Sequence, residues 1–279
     1  MVLTRKGGSG TTVQLAACSA EGYLDRRGAG TYSATATDAS TVMASLAAAI
    51  LDTGPPFLID SADSGLLLDY STLDSDDKTI LSQLQTISAM AGAPEWTVAP
   101  EWADTAQTMI RLVLRIRPTI GVVDPTPEPV FDLPGCIADY QLAESYEAGK
   151  GATVVIASGE GEGDARVQSD VQTSTLIDGG WARWIYRYSP GSGITSKDQL
   201  NAHAAATLAL MEKGARVWTL QAVASRAPRL GAIWDLGHSV RVQVASSPRH
   251  PAGAEVVARA YGWDLDLAAD HIAPILLEE

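Results

Sequence analysis

The chain has 279 residues, of which 46% are hydrophobic and 19% charged, enough apolar material to exclude disorder as its dominant state. Its length fits one large or two modest domains, with a core that needs no covalent staples. With 20 basic against 33 acidic residues, the net charge of −13 disfavours nucleic-acid phosphates and anionic membrane surfaces as partners.

Residues 11–18 (TTVQLAAC) alternate as a strand does, but only a glycine-rich lead precedes them. The expected partner is a segment absent from this chain or supplied by a neighbour. Residues 21–27 (EGYLDRR) read as a short helical turn and 31–37 (TYSATAT) as a strand. Asp38 is placed to cap a helix whose buried positions are Val42, Leu46 and Ile50, ended by Gly54-Pro55-Pro56. Two short strands follow at 57–59 and 66–69. A second helix is expected from about Asp76 to Ala91. Its face is Ile80, Leu84, Ile87 and Ala91, its first turn is acidic, and Gly92 stands at C′. Residues 96–98 and 109–117 form a hairpin. In its second arm Ile110, Leu112, Leu114 and Ile116 share one face and Arg111, Arg115 and Arg117 the other, so one side is wet.

Three prolines within 122–129 (VVDPTPEP) mark the expected domain boundary. Beyond it, strands are expected at 130–133, 137–143, 152–158, 165–171 and 181–188. One helix is expected over 196–213. Thr195 and Asp198 make its capping-box-like start, Leu200, Ala204, Leu208 and Met211 its apolar stripe, and Gly214 its stop. More strands fall at 217–224, 239–245, 255–266 and 272–277. Many short strands with Gly/Pro turns and one helix point to a β-barrel or sandwich here, and to an α+β, mainly β chain.

Few motifs carry chemistry. Gly159-Glu160-Gly161-Glu162-Gly163 follows a strand as a dinucleotide loop would. Glu160, Glu162 and Asp164 would repel the phosphate, however, and no apolar helix follows to lend its dipole. An acidic hairpin loop accounts for it better. Asp74-Ser75-Asp76-Asp77 lacks the central Gly and final Glu of a calcium loop and reads as helix capping. Cys18 and Cys136 form no CxxC pair and read as two buried small apolar side chains. His203, His238, His250 and His271 have no metal spacing, and neither HExxH nor GxSxG occurs. A carboxylate pair set by tertiary structure would leave no trace among so many acids. No catalytic residue, cofactor site or metal site is assigned. The opening Met1–Gly8 stretch lacks a signal peptide's apolar core, and no segment has membrane-span length. The expectation is a soluble chain made in the cytoplasm.

The tryptophans say more. Trp184, Tyr186 and Tyr188 share a strand face with Trp181 nearby. Such rings fill cores and interfaces, or stack on sugars. These four residues, with Arg111, Arg115 and Arg117, are the candidate contact surfaces.

Several segments together carry a resemblance. They are EGYLDRR at 21–27, DDKT at 76–79, PEWTV at 94–98, FDLPG at 131–135, ESYEAGKGATVV at 144–155 and GEGEGDA at 159–165. APRLG at 227–231, WDLG at 234–237 and AYGW at 260–263 complete the series. In this order they resemble minor tail proteins of long-tailed phages infecting actinobacteria, which are similar to the tail-tip, or baseplate, hub family. The likeness spans roughly residues 10–275. It implies tube-like β-barrel modules with an α/β insertion: residues 1–30 finishing a first barrel, 31–121 the insertion, 127–279 a second barrel. It also implies a homotrimer in the virion, contacting the tail tube or distal tail protein, the tape measure and the tip fibre, and acting without catalysis. Two departures stand out. Relatives carry a longer stretch ahead of this opening, and they have Gly-Asp where this chain has Gly237-His238. The alternative is a tail module that binds or hydrolyses cell-wall glycan.

Overall fold

The computed structural model describes residues 2–5, 13–16, 18–159, 166–190, 194 and 196–278, the first two stretches as backbone alone. It is mainly β, 39% strand against 19% helix. Two compact units divide it, residues 1–118 and 119–279. Among the described residues no helix is long and apolar enough to cross a membrane.

In the first unit β1 (Val2–Arg5) pairs antiparallel with β2 (Val13–Ala16). The strand expected at 11–18 thus has a partner within the chain, a correction. Four residues are too few to show a period, which is why the lead does not read as a strand. Next come α1 (Glu21–Leu24), β3 (Tyr32–Asp38) and α2 (Ala39–Ala47), which tightens into a 3₁₀ turn through Leu51. Asp38 caps α2 as expected, accepting from the Ser40 amide at 2.9 Å. Its carboxylate also accepts from the Ser64 amide at 3.1 Å and the Gly65 amide at 2.8 Å, so it fastens the loop after β4 (Phe57–Ser61) to the helix start.

Strand β5 (Leu67–Thr72) pairs with β3, and α3 (Ile80–Ser88) follows. This helix begins later than the acidic run suggested. Asp74–Asp76 form a separate 3₁₀ turn, Asp77 is left-handed at φ 51°, and Thr79 is the cap, accepting from Ser82. Strand β7 (Ile110–Arg117) lies between β4, parallel, and β6 (Glu95–Trp102), antiparallel, which gives the expected hairpin. Leu114 and Ile116 face a core built from Val42, Met43 and Leu46 of α2 and Ile80, Leu84 and Ile87 of α3. Leu24 of α1 is buried in the same core. Each such side chain contributes about 1.5–3 kcal/mol by leaving water.

The second unit contains β8 (Val130–Leu133), β9 (Ile137–Ser145), β10 (Val154–Ala157), β11 (Gln172–Thr173) and β12 (Ile185–Tyr188). After α4 (Lys197–Met211) come β13 (Ala215–Val223), β14 (Ser239–Val244), β15 (Ala254–Asp266) and β16 (His271–Glu278). Six strands form one sheet in the order β8-β14-β15-β16-β13-β9. Its two edge strands are consecutive in the chain, separated only by residues 134–136. A flat sheet would hold those edges about 24 Å apart, whereas the link reaches about 14 Å at most. The sheet therefore curls into a half-barrel.

Inside the curl lie Phe131, Trp218, Leu220, Trp234, Val240, Val242 and Leu276, all buried. Phe131 meets Trp234 edge to face, with ring centroids 5.5 Å apart. The small sheet β11-β10-β12 packs α4 through Val155, Ala157, Leu200, Ala204 and Met211. Ser196 caps α4 by accepting from Gln199, and the expected contributor Thr195 lies outside the described residues. The strand expected at 165–171 does not form. Its described part makes only the isolated bridge between Ser158 and Gln168, and β11 comes just after it. The acidic loop from Glu160 to Asp164 also lies outside the described residues.

The Asp38 clamp sets a stability test. Burial pushes its carboxyl pKa up, but donors from Ser64, Ser40 and Gly65 outweigh this and leave it below the ordinary value. A lowered folded-state pKa gives stability present above the unfolded value and lost as pH falls through the folded one. Asp38→Ala is expected to cost about 1–2 kcal/mol at neutral pH in chemical denaturation. The gap to wild type should close as the pH drops below the carboxylate range.

Candidate interaction surface

Among the described residues no three His, Cys, Asp or Glu side chains come together as metal ligands would. Histidines do not converge. His203 is buried on α4, the His238 amide donates to Asp235 O at 3.1 Å, and His271 opens β16. His250 joins a group that sequence reading missed. Tyr140 Oη lies 2.6 Å from both Ser247 Oγ and His250 Nδ1, and the His250 amide donates to Ser247 Oγ at 3.0 Å. The rings of Trp218, Tyr140 and His250 stack on one another at 5.4–5.8 Å. In a Ser–His pair the imidazole nitrogen must face the serine hydroxyl to act as its base. Here Tyr140 takes that nitrogen, and the group clasps the β14–β15 loop onto β9 and β13. Tyr140 and His250 stand 110 residues apart, so no local pattern could have found it.

Arg111 and Arg115 lie on the outer face of β7, as expected, and both pair with Glu101 of β6. Arg117 pairs with Asp60 of β4. The hydrogen bond from Arg117 is the main cause that holds the Asp60 carboxyl below its usual range, against some burial. All three guanidinium groups therefore already have carboxylate partners inside the unit.

The aromatic candidates separate into two pairs. Tyr186 and Tyr188 stack 5.3 Å apart and pack on the core beneath α4. Tyr188 also donates to His203 O at 3.0 Å and lies 2.6 Å from Thr207 Oγ1. Trp181 and Trp184 instead remain 48% and 47% exposed, and Ile185 52%. Their backbone is held by Thr153 of the segment entering β10. Its Oγ1 accepts from the Trp184 amide at 2.9 Å and donates to Ala182 O at 2.8 Å. Both indoles flank Tyr146, with centroids 5.8 and 5.7 Å away. The Tyr146 hydroxyl donates to Lys213 O and its ring covers Gly214. Gly214 has φ +72°, and a Cβ there would lie 2.8 Å from that ring, so glycine alone fits. Arg183 and Arg187 are exposed beside the indoles.

A second exposed group ends the β15–β16 hairpin. Trp263, Leu265 and Leu267 are exposed there, Leu267 to 81%, among the exposed Asp264, Asp266 and Asp270. Alternation through 263–267 marks a strand, but nothing local shows that this part outruns the core.

No family model matches the sequence, and no curated protein matches it. Solved structures do match. A tail protein from Neisseria meningitidis MC58 is similar over 100% of this chain and 78% of its own, with a TM-score of 0.59 and 13% identity. The prophage tail protein gp18 from Listeria monocytogenes EGD-e is similar over 93% and 70%, with a TM-score of 0.52 and 11% identity. A 43 kDa tail protein of prophage MuSo2 from Shewanella oneidensis is similar over 88% and 66%, with a TM-score of 0.50 and 12% identity. The chain has a phage tail protein fold. That tail-protein fold takes in both compact units, since the Neisseria match leaves no part of the chain out.

Exposed and buried indoles of this tail-protein fold should respond differently to truncation. Trp184→Ala is expected to change stability by less than about 0.5 kcal/mol, while Trp218→Ala, 2% exposed, should lose about 3–5 kcal/mol. Equal losses in denaturant titrations would show that Trp184 is structural.

Proposed function

We propose that this chain is a structural subunit of a phage tail, a minor tail protein of the tail-tip or baseplate hub. In this reading it joins the tail tube or distal tail protein to the tip fibre or receptor-binding proteins, alongside the tape measure. It works in the virion, as a homotrimer, by assembly and not by catalysis. The observation that carries the reading is the tail-protein fold along the whole chain. The curled sheet of the second unit supports residues 127–279 as a barrel module. In the same reading residues 1–30 finish a first barrel and 31–121 form the insertion. A threefold hub with two similar barrels per subunit presents six near-equivalent faces, which suits a sixfold tube. The motif series in the sequence further supports a siphophage of actinobacteria as the source.

Light scattering on the purified chain, coupled to size separation, tests this directly. A mass of three copies is expected, with ring-shaped particles in negative stain. A monomer at every concentration would sink the trimer.

The half-exposed indoles of Trp181 and Trp184 favour one second reading, a tail module that binds cell-wall glycan. It predicts quenching of tryptophan fluorescence by cell-wall fragments, abolished by Trp184→Ala. Unchanged emission at saturating fragment concentrations would remove it.

A further inference from the structure

Two of the exposed apolar groups of the second unit differ in the sign of the charges that dominate beside them. Beside Trp181, Trp184 and Ile185 stand the exposed Arg183 and Arg187, neither in an ion pair with a described residue, against one exposed carboxylate, Asp178, in the turn before Trp181; Glu147 next to Tyr146 is paired with Lys150. Around Leu265 and Leu267 the exposed charges are Asp264, Asp266 and Asp270, the last accepting from Ser225, whose neighbour Arg226 is the exposed cation on that side. Asp266 accepts only from the Ala268 and Ala269 amides of its own turn, and no described cation reaches Asp264.

These groups lie at opposite ends of one strand. At the start of β13, Ala215 pairs with Ser145, next to the Tyr146 ring that touches both indoles. At its end, Val223 pairs with His271, which pairs with Asp266. Nine residues of strand separate the two ends by roughly 25 Å. One copy therefore cannot bring its own basic group to its own acidic one.

We propose that copies of this chain meet head to tail. Arg183, Trp184 and Arg187 of one copy dock on Asp264, Leu265 and Asp266 of the next. The inference rests on the reading above that the chain works as an assembled subunit, and names the surfaces that assemble it. A second copy is the fitting occupant on grounds of charge. At −13 two copies repel each other, and approach is favoured where a basic face meets an acidic one. The chemistry divides the work. Exposed ion pairs add little affinity but set orientation, whereas desolvated Trp and Arg side chains dominate binding. A contact between two different surfaces repeats from copy to copy, and closes into a ring when the rotation allows.

Charge reversal in the full chain tests the pairing, read by sedimentation velocity at low and moderate salt. Arg183→Glu with Arg187→Glu, and separately Asp264→Lys with Asp266→Lys, are each expected to weaken self-association by about tenfold or more. All four substitutions together should restore it to near the wild-type level, because the charges again match. Thermal melting of each variant checks that it folds. Restoration is a readout that general damage cannot mimic. Double variants that associate like wild type would overturn the pairing while leaving the tail-subunit reading standing. So would a quadruple variant that stays dissociated. A wild-type chain monomeric at all concentrations would overturn both the pairing and the trimer.

Discussion

The link between β8 and β9 constrains the whole second unit. Three residues must join the first and last strands of a six-stranded sheet, so the sheet has to curl until the end of β8 and the start of β9 come within reach of that link. The turn is locked by its own polar groups. Asp132 accepts from the Cys136 amide at 3.0 Å, and Gly135 passes so close to that carboxylate that any Cβ would overlap it. Carbonyls on either side are then taken up by the sheet. Leu133 O accepts from Ala245 at 2.7 Å and Cys136 O from Val223 at 2.9 Å. Because the curl is enforced here, Trp218, Trp234 and Phe131 can fill one shared interior.

With the interior settled, the unit has a wall whose strand ends are chemically distinct. Strand β13 turns Trp218, Leu220 and Ala222 into the interior, and the two exposed groups lie on segments beside its two ends. At one end a glycine-backed tyrosine props two indoles outward, and at the other a hairpin outruns the core. Polar groups at both places are tied to backbone partners, through Thr153 and through Asp266. The surfaces are thus held in shape by the same bonds that complete the fold.

Much of the fold is legible in the sequence where burial imposes a period. Leu114 and Ile116 take the buried positions their period announces because that side of β7 meets the α2–α3 core, whereas Ile110 at its start is exposed and Val113, on the arginine face, is buried. Asp38 announces a helix start because unpaired backbone groups there admit few solutions, whereas α3 already ends at Ser88 with Ala89 as its cap, and Gly92, expected at C′, sits in the turn beyond. Strand order is not legible, since the parallel pairing of β10 with β12 is chosen by α4 packing across both. The candidate surface was half readable. Tyr186 and Tyr188 resemble Trp181 and Trp184 in chemistry and lie within a few residues of them. Only the position of α4 decides that the tyrosines are covered and the indoles are not. Likewise Trp263 and Leu265 alternate as regularly as Val240 and Val242, and only the reach of the core separates exposed from buried.

Strand β16 comes last of the nine strands described in its unit, yet it lies in the middle of the six-stranded sheet, between β15 and β13. Until residue 278 has left the ribosome, those two neighbours have no partner on that side and present raw amide and carbonyl edges. Completing the sheet earlier is impossible, because β15 and β13 are joined only through β16. Synthesis of this unit therefore runs ahead of its folding, and the nascent chain passes through a stage in which chaperone capture competes with edge-to-edge aggregation.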